Sequence, residues 1–292
     1  MMNQAPGSPE ATVVTPALLR EWRHKTSPRQ TALVVGGAAA APGAVILAGT
    51  AALRAGAGTL QLATAARHAS AAGLSVPEAM VVALPETDDG AVSRTGDETL
   101  ASYLDGARVL VIGPGLTDVD ETGALLERLL PRVHEDARVV LDAYALGALS
   151  HDPALAKPVQ DRLVLTPNTT EAAYLLGCDE DDLPDTPVAA QRIAERYRAV
   201  VTLMSCTAAP DGALWVDGSG HIGLATSGSG DVLAGLVGGF LARAGSLTQA
   251  TCWAAHVHAV AGQRLIPGRG RVGLLARELL DQIPIVIAEL SG

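Results

Sequence analysis

The sequence predicts an α/β fold in which a largely parallel central sheet is flanked by helices on both faces. Three observations carry that expectation. Short apolar runs bounded by Gly, Pro or Asp alternate with longer stretches of helical periodicity through most of the 292 residues. Several runs end in glycine-bearing or polar turns: Gly36-Gly37, Gly113-Pro114-Gly115, Asp142 and Thr166-Pro167-Asn168. The chain is 48% hydrophobic but only 3% aromatic, so its core draws on Ala, Val and Leu and packs through close backbone approach.

In chain order, the apolar runs predict strands over Ala32–Val35, Thr59–Ala63, Met80–Leu84, Val109–Ile112, Val139–Leu141, Leu163–Leu165 and Ala199–Leu203. Helical spacing predicts helices over Ala44–Ala55, Thr122–Leu130, Thr170–Leu176, Val188–Tyr197, Asp231–Ala244, Leu247–Leu265 and Leu274–Gln282. Asn168-Thr169-Thr170-Glu171 reads as the capped start of the third of these. Gly218 to Gly223 fits GxGxxG, but it lies between two strand-like runs, Ala213–Val216 and Ile222–Ala225, and is expected to be a hairpin turn. With no fixed-period repeat and no internal linker, residues 15–292 are expected to form one domain, with residues 1–14 as a flexible tail.

Charge and cysteine content exclude several classes. Asp and Glu outnumber Lys and Arg by 31 to 21, a net charge of −10, and no basic block is present to neutralise a nucleic-acid backbone. Cys178, Cys206 and Cys252 are widely spaced and lack CxxC pairing, which points to a cytoplasmic protein without disulfides and leaves no metal site to assign. The uncharged stretch from Gln30 to Arg54 is interrupted by Gly36, Gly37, Pro42, Gly43 and Gly49, so it reads as strand, glycine loop and buried helix, not as a membrane span. His256 and His258 stand two apart on a predicted helix and cannot share a metal as an i, i+4 pair could; they are expected to be structural or surface residues. No GxxxxGK[ST] or GxSxG segment occurs.

In open α/β sheets ligands bind beyond the carboxyl ends of the strands, where these turns converge. The most informative segment is Ala225-Thr226-Ser227-Gly228-Ser229-Gly230-Asp231, leading into an apolar helix that carries Gly235, Gly238 and Gly239 on one side. A glycine-rich first turn offers free N–H groups and the positive end of a helix dipole to an anion. Asp231 would oppose an anion but suits a carboxylate that must take a proton beside a phosphate. Capping by Ser229 or Asp231 explains the same spacing equally well.

The GSGD segment before a glycine-rich helix resembles the anion hole and catalytic Asp of the ribokinase-like fold. More narrowly, the chain resembles the ADP-dependent NAD(P)H-hydrate dehydratases. Seven pieces occur in that family's order: Gly36-Gly37 with Pro42-Gly43-Ala44; Ala51 to Gly58; Val111 to Leu116; Leu141-Asp142-Ala143; Leu165-Thr166-Pro167 with Glu171; Pro210-Asp211-Gly212; and Gly223 to Asp231. The resemblance spans roughly Thr15 to Pro284, nearly the whole chain.

The resemblance implies repair of hydrated NADH or NADPH at the expense of ADP, releasing AMP and phosphate. Hydroxide leaves poorly, the pKa of water being about 15.7; phosphate, with a second pKa of about 6, leaves easily. Asp231 would be the base, and Gly228, Ser229 and Gly230 would hold the phosphoryl group. Ala44, Gly115, Asn168 and Asp231 would meet the hydrated substrate, and Met204, Ser205, Cys206 and Thr207 the nucleotide. Mg²⁺ would travel with the nucleotide phosphates. The family tends toward homotetramers, and an NAD(P)H-hydrate epimerase would be a separate chain.

Four departures stand out: Asn168 where many members have His, Met204-Ser205 where a Lys-Gly pair is common, Tyr144 in place of an acidic residue after Asp142, and no Ser or Met within Ala38 to Ala41. A vitamin-precursor kinase of the same fold, and a non-catalytic nucleotide-binding homologue, are the competing expectations.

Overall fold

The computed structural model describes residues 11–22, 30–220, 222–243, 245–270 and 272–291. Ten strands form one sheet: β1 (Thr12–Val13), β2 (Thr31–Val35), β3 (Thr59–Ala65), β4 (Ala79–Leu84), β5 (Val109–Ile112), β6 (Arg138–Leu141), β7 (Leu163–Leu165), β8 (Val200–Leu203), β9 (Cys206–Ala208) and β10 (Leu214–Val216). Their order is β1-β10-β9-β8-β7-β6-β5-β2-β3-β4. All pairings are parallel except those of β9, which runs antiparallel to both β8 and β10.

Helices cover both faces. On one side lie α1 (Pro16–Glu21), α2 (Pro42–Ala55), α9 (Ser229–Leu241), α10 (Leu247–Arg269) and α11 (Ala276–Ser291), over Ala32, Val34, Val109, Val111, Val140, Val164 and Val200. On the other lie α4 (Gly96–Leu104), α5 (Val119–Leu129), α6 (Tyr144–His151), α7 (Thr169–Leu176) and α8 (Thr186–Tyr197), over Leu33, Val35, Leu110, Ile112, Leu141, Leu165 and Val201. Successive residues of β2 feed opposite cores because strand side chains alternate with period two. That is why the central strands read as unbroken apolar runs. The stretch from Gln30 to Arg54 resolves into β2, a glycine loop and α2, and among the described residues no helix is long and apolar enough to cross a membrane.

Three expectations are corrected. Ile222–Leu224 is a short 3-10 turn, so the predicted hairpin with Ala213–Val216 does not form. Instead Leu214–Val216 pairs with β9 across the Pro210-Asp211-Gly212 turn, and its other edge is taken by β1. No free edge remains for residues 222–225. Pairing of Thr12–Val13 also carries the ordered fold past the boundary expected at residue 15, while residues 1–10 of the expected tail lie outside the described residues. The helix expected over Asp231–Ala244 begins earlier, at Ser229, and ends at Leu241; residue 244 lies outside the described residues. Helices α3 (Ala66–Ser75), α4 and α6 were not legible as periodic segments; they are short, and α3 buries only Ala72.

Candidate active site

The carboxyl ends of the parallel strands β2, β5, β6, β7 and β8 lie at one end of the sheet, where ligands bind in open α/β folds. The first two turns interlock through their backbones. Gly37 N–H donates to the Pro114 carbonyl at 2.9 Å and Ala38 N–H to the Gly115 carbonyl at 2.8 Å. A Cβ on Gly36 would lie 1.9 Å from the Pro114 oxygen, so only glycine permits this approach. The same docking brings Ala44 against Gly115: a Cβ there would stand 2.8 Å from the Ala44 Cβ. Two expected substrate contacts, 71 positions apart in number, are thus neighbours.

The GSGD turn completes that wall. Gly228 caps α9 at φ +84° without any side-chain capping bond, and it faces Leu47 of α2 and Ala276 of α11. Helix geometry leaves the N–H groups of Gly230 and Asp231 without intrahelical acceptors. Ser229 differs, since its N–H already donates to the Thr226 carbonyl at 3.1 Å. Of the three residues expected to form the cradle, Ser229 is buried with its N–H engaged, whereas helix geometry leaves the N–H groups of Gly228 and Gly230 without intrahelical acceptors.

Three carboxyl groups share this end of the sheet. Burial, reinforced by the charge of Glu171, pushes the Asp231 carboxyl up to about 6. Burial pushes Asp142 up to about 8, opposed by the Thr166 hydroxyl that donates to its Oδ1 at 2.7 Å and reinforced by the charges of Glu171 and Asp231. Burial also raises Glu171. Ala143 follows Asp142 at φ +50°, a region a non-glycine residue seldom occupies, and such strain concentrates at functional sites. A carboxyl that titrates near 6 is ionised enough to accept a proton at neutral pH and basic enough to hold it.

The sequence profile of the NAD(P)H-hydrate dehydratase family matches residues 32–285. The chain belongs to the NAD(P)H-hydrate dehydratase family. It is 44% identical over 266 residues to the ADP-dependent (S)-NAD(P)H-hydrate dehydratase of Xanthomonas campestris pv. campestris, covering 90% of this chain and 89% of that protein. It is 35% identical over 304 residues to the bifunctional NAD(P)H-hydrate repair enzyme of Moorella thermoacetica, covering 98% of this chain and 57% of that protein. The chain thus spans little more than half of that bifunctional relative. The solved structure of the ADP/ATP-dependent NAD(P)H-hydrate dehydratase from Bacillus subtilis, co-crystallised with ATP/Mg²⁺ and soaked with CoA, matches with a TM-score of 0.79 at 25% identity, covering 96% of this chain and 99% of that one. The ribokinase-like fold of the NAD(P)H-hydrate dehydratases is therefore the fold of this chain.

Within that family frame, the remaining expected residues divide. Met204 and Ser205 are exposed at the β8–β9 turn, at the same end of the sheet as Asp231. Cys206 and Thr207 lie within β9 with buried side chains, Cys206 packed into the core. Asn168 caps α7 in a reciprocal box: its Oδ1 accepts from Glu171 N–H and its own N–H donates to Glu171 Oε2, both at 2.9 Å. Asn168→Ala is expected to cost about 1 kcal/mol of stability through loss of that cap, read as a lower urea midpoint with an unchanged slope.

Replacing Asp142 has the opposite sign. Its folded-state pKa is raised, so the native state holds more protons than the unfolded chain between about pH 4 and pH 8, and stability declines as pH rises through that window. Asp142→Asn should remove the decline, adding roughly 1–3 kcal/mol at pH 8 and almost nothing at pH 4. Parallel pH–melting curves for the two proteins would count against this.

Among the described residues no three His, Cys, Asp or Glu side chains group closely enough to hold a metal ion by themselves. Mg²⁺ keeps several waters and binds through one or two carboxylates plus substrate phosphates. The donor set fits an ion that arrives on a nucleotide. Sequence reasoning missed His256, His258 and Asp217 as parts of this region. Their partners lie 29 and 39 positions away, a distance no spacing rule spans.

Proposed function

We propose that this chain dehydrates the S epimer of hydrated NADH or NADPH to the working cofactor with ADP as co-substrate, releasing AMP and phosphate. The single observation that carries the reading is Asp231: a half-buried carboxyl with its pKa raised to about 6, set in a helix first turn that has unspent N–H donors and no side-chain cap, and near enough to Glu171 and Asp142 for their charges to act on one another.

In this reading the hydrated ring lies against Ala44 and Gly115, and ADP runs from the Met204-Ser205 turn to the first turn of α9. Asp231 takes the proton of the ring hydroxyl as that oxygen attacks the terminal phosphorus of ADP, and the bond to the AMP oxygen breaks. The N–H groups of Gly230 and Asp231, with the helix dipole behind them, hold the phosphoryl oxygens as charge builds. The phosphorylated oxygen then leaves the ring as phosphate, the ring nitrogen supplying the electron pair. Loss of a proton from the neighbouring carbon restores the double bond. Asp142 and Glu171 are the side chains that would hold a Mg²⁺ arriving with the nucleotide, and the ion would supply neutralisation of phosphate charge.

The test mixes purified protein with hydrated NADH and either ADP or ATP, following reduced-nicotinamide absorbance, AMP and phosphate. Recovery of absorbance with one phosphate and one AMP per turnover is expected with ADP. A stable phosphorylated product would instead make it a kinase of the same fold, and nucleotide binding without any turnover would make it a non-catalytic homologue.

A further inference from the structure

The first turn of α9 has no capping side chain, so local sequence does not fix where its N–H donors point. Helix α10 supplies the constraint. His258 is buried, and its Nε2 lies 2.9 Å from Ser229 Oγ and 3.1 Å from the Ser229 carbonyl oxygen. A carbonyl only accepts, so Nε2 carries the hydrogen and donates. Ser229 opens α9, one residue before Gly230 and two before Asp231.

His256 stands roughly 200° around the same helix and reaches the segment after β10. Its Nδ1 is 2.8 Å from Asp217 Oδ2, with both side chains buried. Asp217 Oδ1 accepts from Ser219 N–H at 2.8 Å, and Asp217 N–H donates to the Ser205 carbonyl at 2.8 Å. The turn that carries Met204 and Ser205 is therefore tied to α10 through one buried acid–histidine pair.

We propose that His258 and His256 are positioning residues, His258 for the phosphoryl cradle through Ser229 and His256 for the nucleotide turn through Asp217 and Ser205, so that α10 sets the span between the two ends of bound ADP. The inference rests on the functional reading above. It separates the two histidines by kinetic signature: the cradle acts on the transferring group, the turn on the part of ADP that does not react.

His258→Phe keeps a buried ring but loses the donor; it is expected to lower kcat at least tenfold while KM for ADP changes less than threefold. His258→Gln, whose amide nitrogen can stand in for Nε2, should regain most of the loss. His256→Phe is expected to raise KM and Kd for ADP at least fivefold with kcat within threefold of the parent, and His256→Asn should recover binding. Equal losses in both parameters, or amide variants no better than Phe variants at matched melting temperature, would overturn the proposal. Should a Phe variant fail to fold, a folded amide variant with parental kinetics supports it and one without them overturns it. If the parent binds ADP yet leaves hydrated NADH untouched, the functional reading fails by itself, and weaker ADP binding by His256→Phe still decides the positioning claim. A parent that binds no ADP overturns both.

Discussion

Asp231→Asn is expected to lower kcat for ADP-coupled dehydration by about 10²–10⁴-fold, the range for loss of a positioned general base. Folding should survive, because the side chain is half-buried in a helix turn that Gly228, not Asp231, caps. The charge itself opposes folding: with the carboxyl raised to about 6 by burial and by Glu171, the native state binds more protons than the unfolded chain between about pH 4 and pH 6, and stability is lost as pH rises through that interval. The Asn variant should therefore melt no lower than the parent at pH 7–8. The parent should show an acidic limb in kcat/KM near pH 6, with activity declining tenfold per unit below it, and Asp231→Asn should abolish that limb together with the rate. A variant that retains a tenth of parental activity would remove Asp231 from the chemistry.

Gly235→Ala is expected to destabilise the fold by about 3 kcal/mol, the upper part of the usual range for overpacking. A Cβ on Gly235 would lie 2.0 Å from the Ala48 carbonyl oxygen of α2, and one on Gly239 would lie 2.4 Å from that of Ala52. The clash is with backbone, so no rotamer change relieves it and α9 must move away from α2. Gly235 stands one turn beyond Asp231, so molecules that fold should also lose activity as the cradle moves off Leu47 and the rest of α2. Gly123→Ala serves as the contrast: its nearest neighbour is the Ala148 Cβ of α6 at 3.6 Å, an ordinary contact between helices, and replacing this glycine inside α5 should add about 0.5–1 kcal/mol. Urea midpoints for the two variants shifting in the same direction would refute the packing argument.

Where apolar character changed sharply along the chain, the fold was legible. Val109–Ile112 and Leu163–Leu165 are strands at the residues their apolar runs mark, because a strand covered on both faces needs no polar alternation. The run Ile222–Ala225 looked equally strand-like and is not one, because pairing is a property of free sheet edges and β1 had taken the last edge of β10. Helix α3 escaped notice for the reverse reason: it buries only Ala72, so it carries almost no apolar stripe. At the site, Gly228 to Asp231 announced themselves through the chemistry that glycine and aspartate bring to a helix start. Cys206 and Thr207 belong to the expected nucleotide segment by position, but strand geometry turns their side chains into the interior.

What the amino-acid order determined alone is the set of parts: a parallel α/β sheet, glycine turns at its strand ends, and one acidic helix start able to combine anion binding with proton transfer. These follow from local causes, namely side-chain period, glycine's conformational freedom and the unspent N–H groups of a helix. The tertiary structure decided how the parts act together. Burial beside Glu171 raised Asp231, contact between backbones placed Ala44 on Gly115, and α10 held Ser229 and Asp217 through two histidines. Each depends on groups distant in sequence, whose dielectric surroundings and separations exist only once the chain has packed.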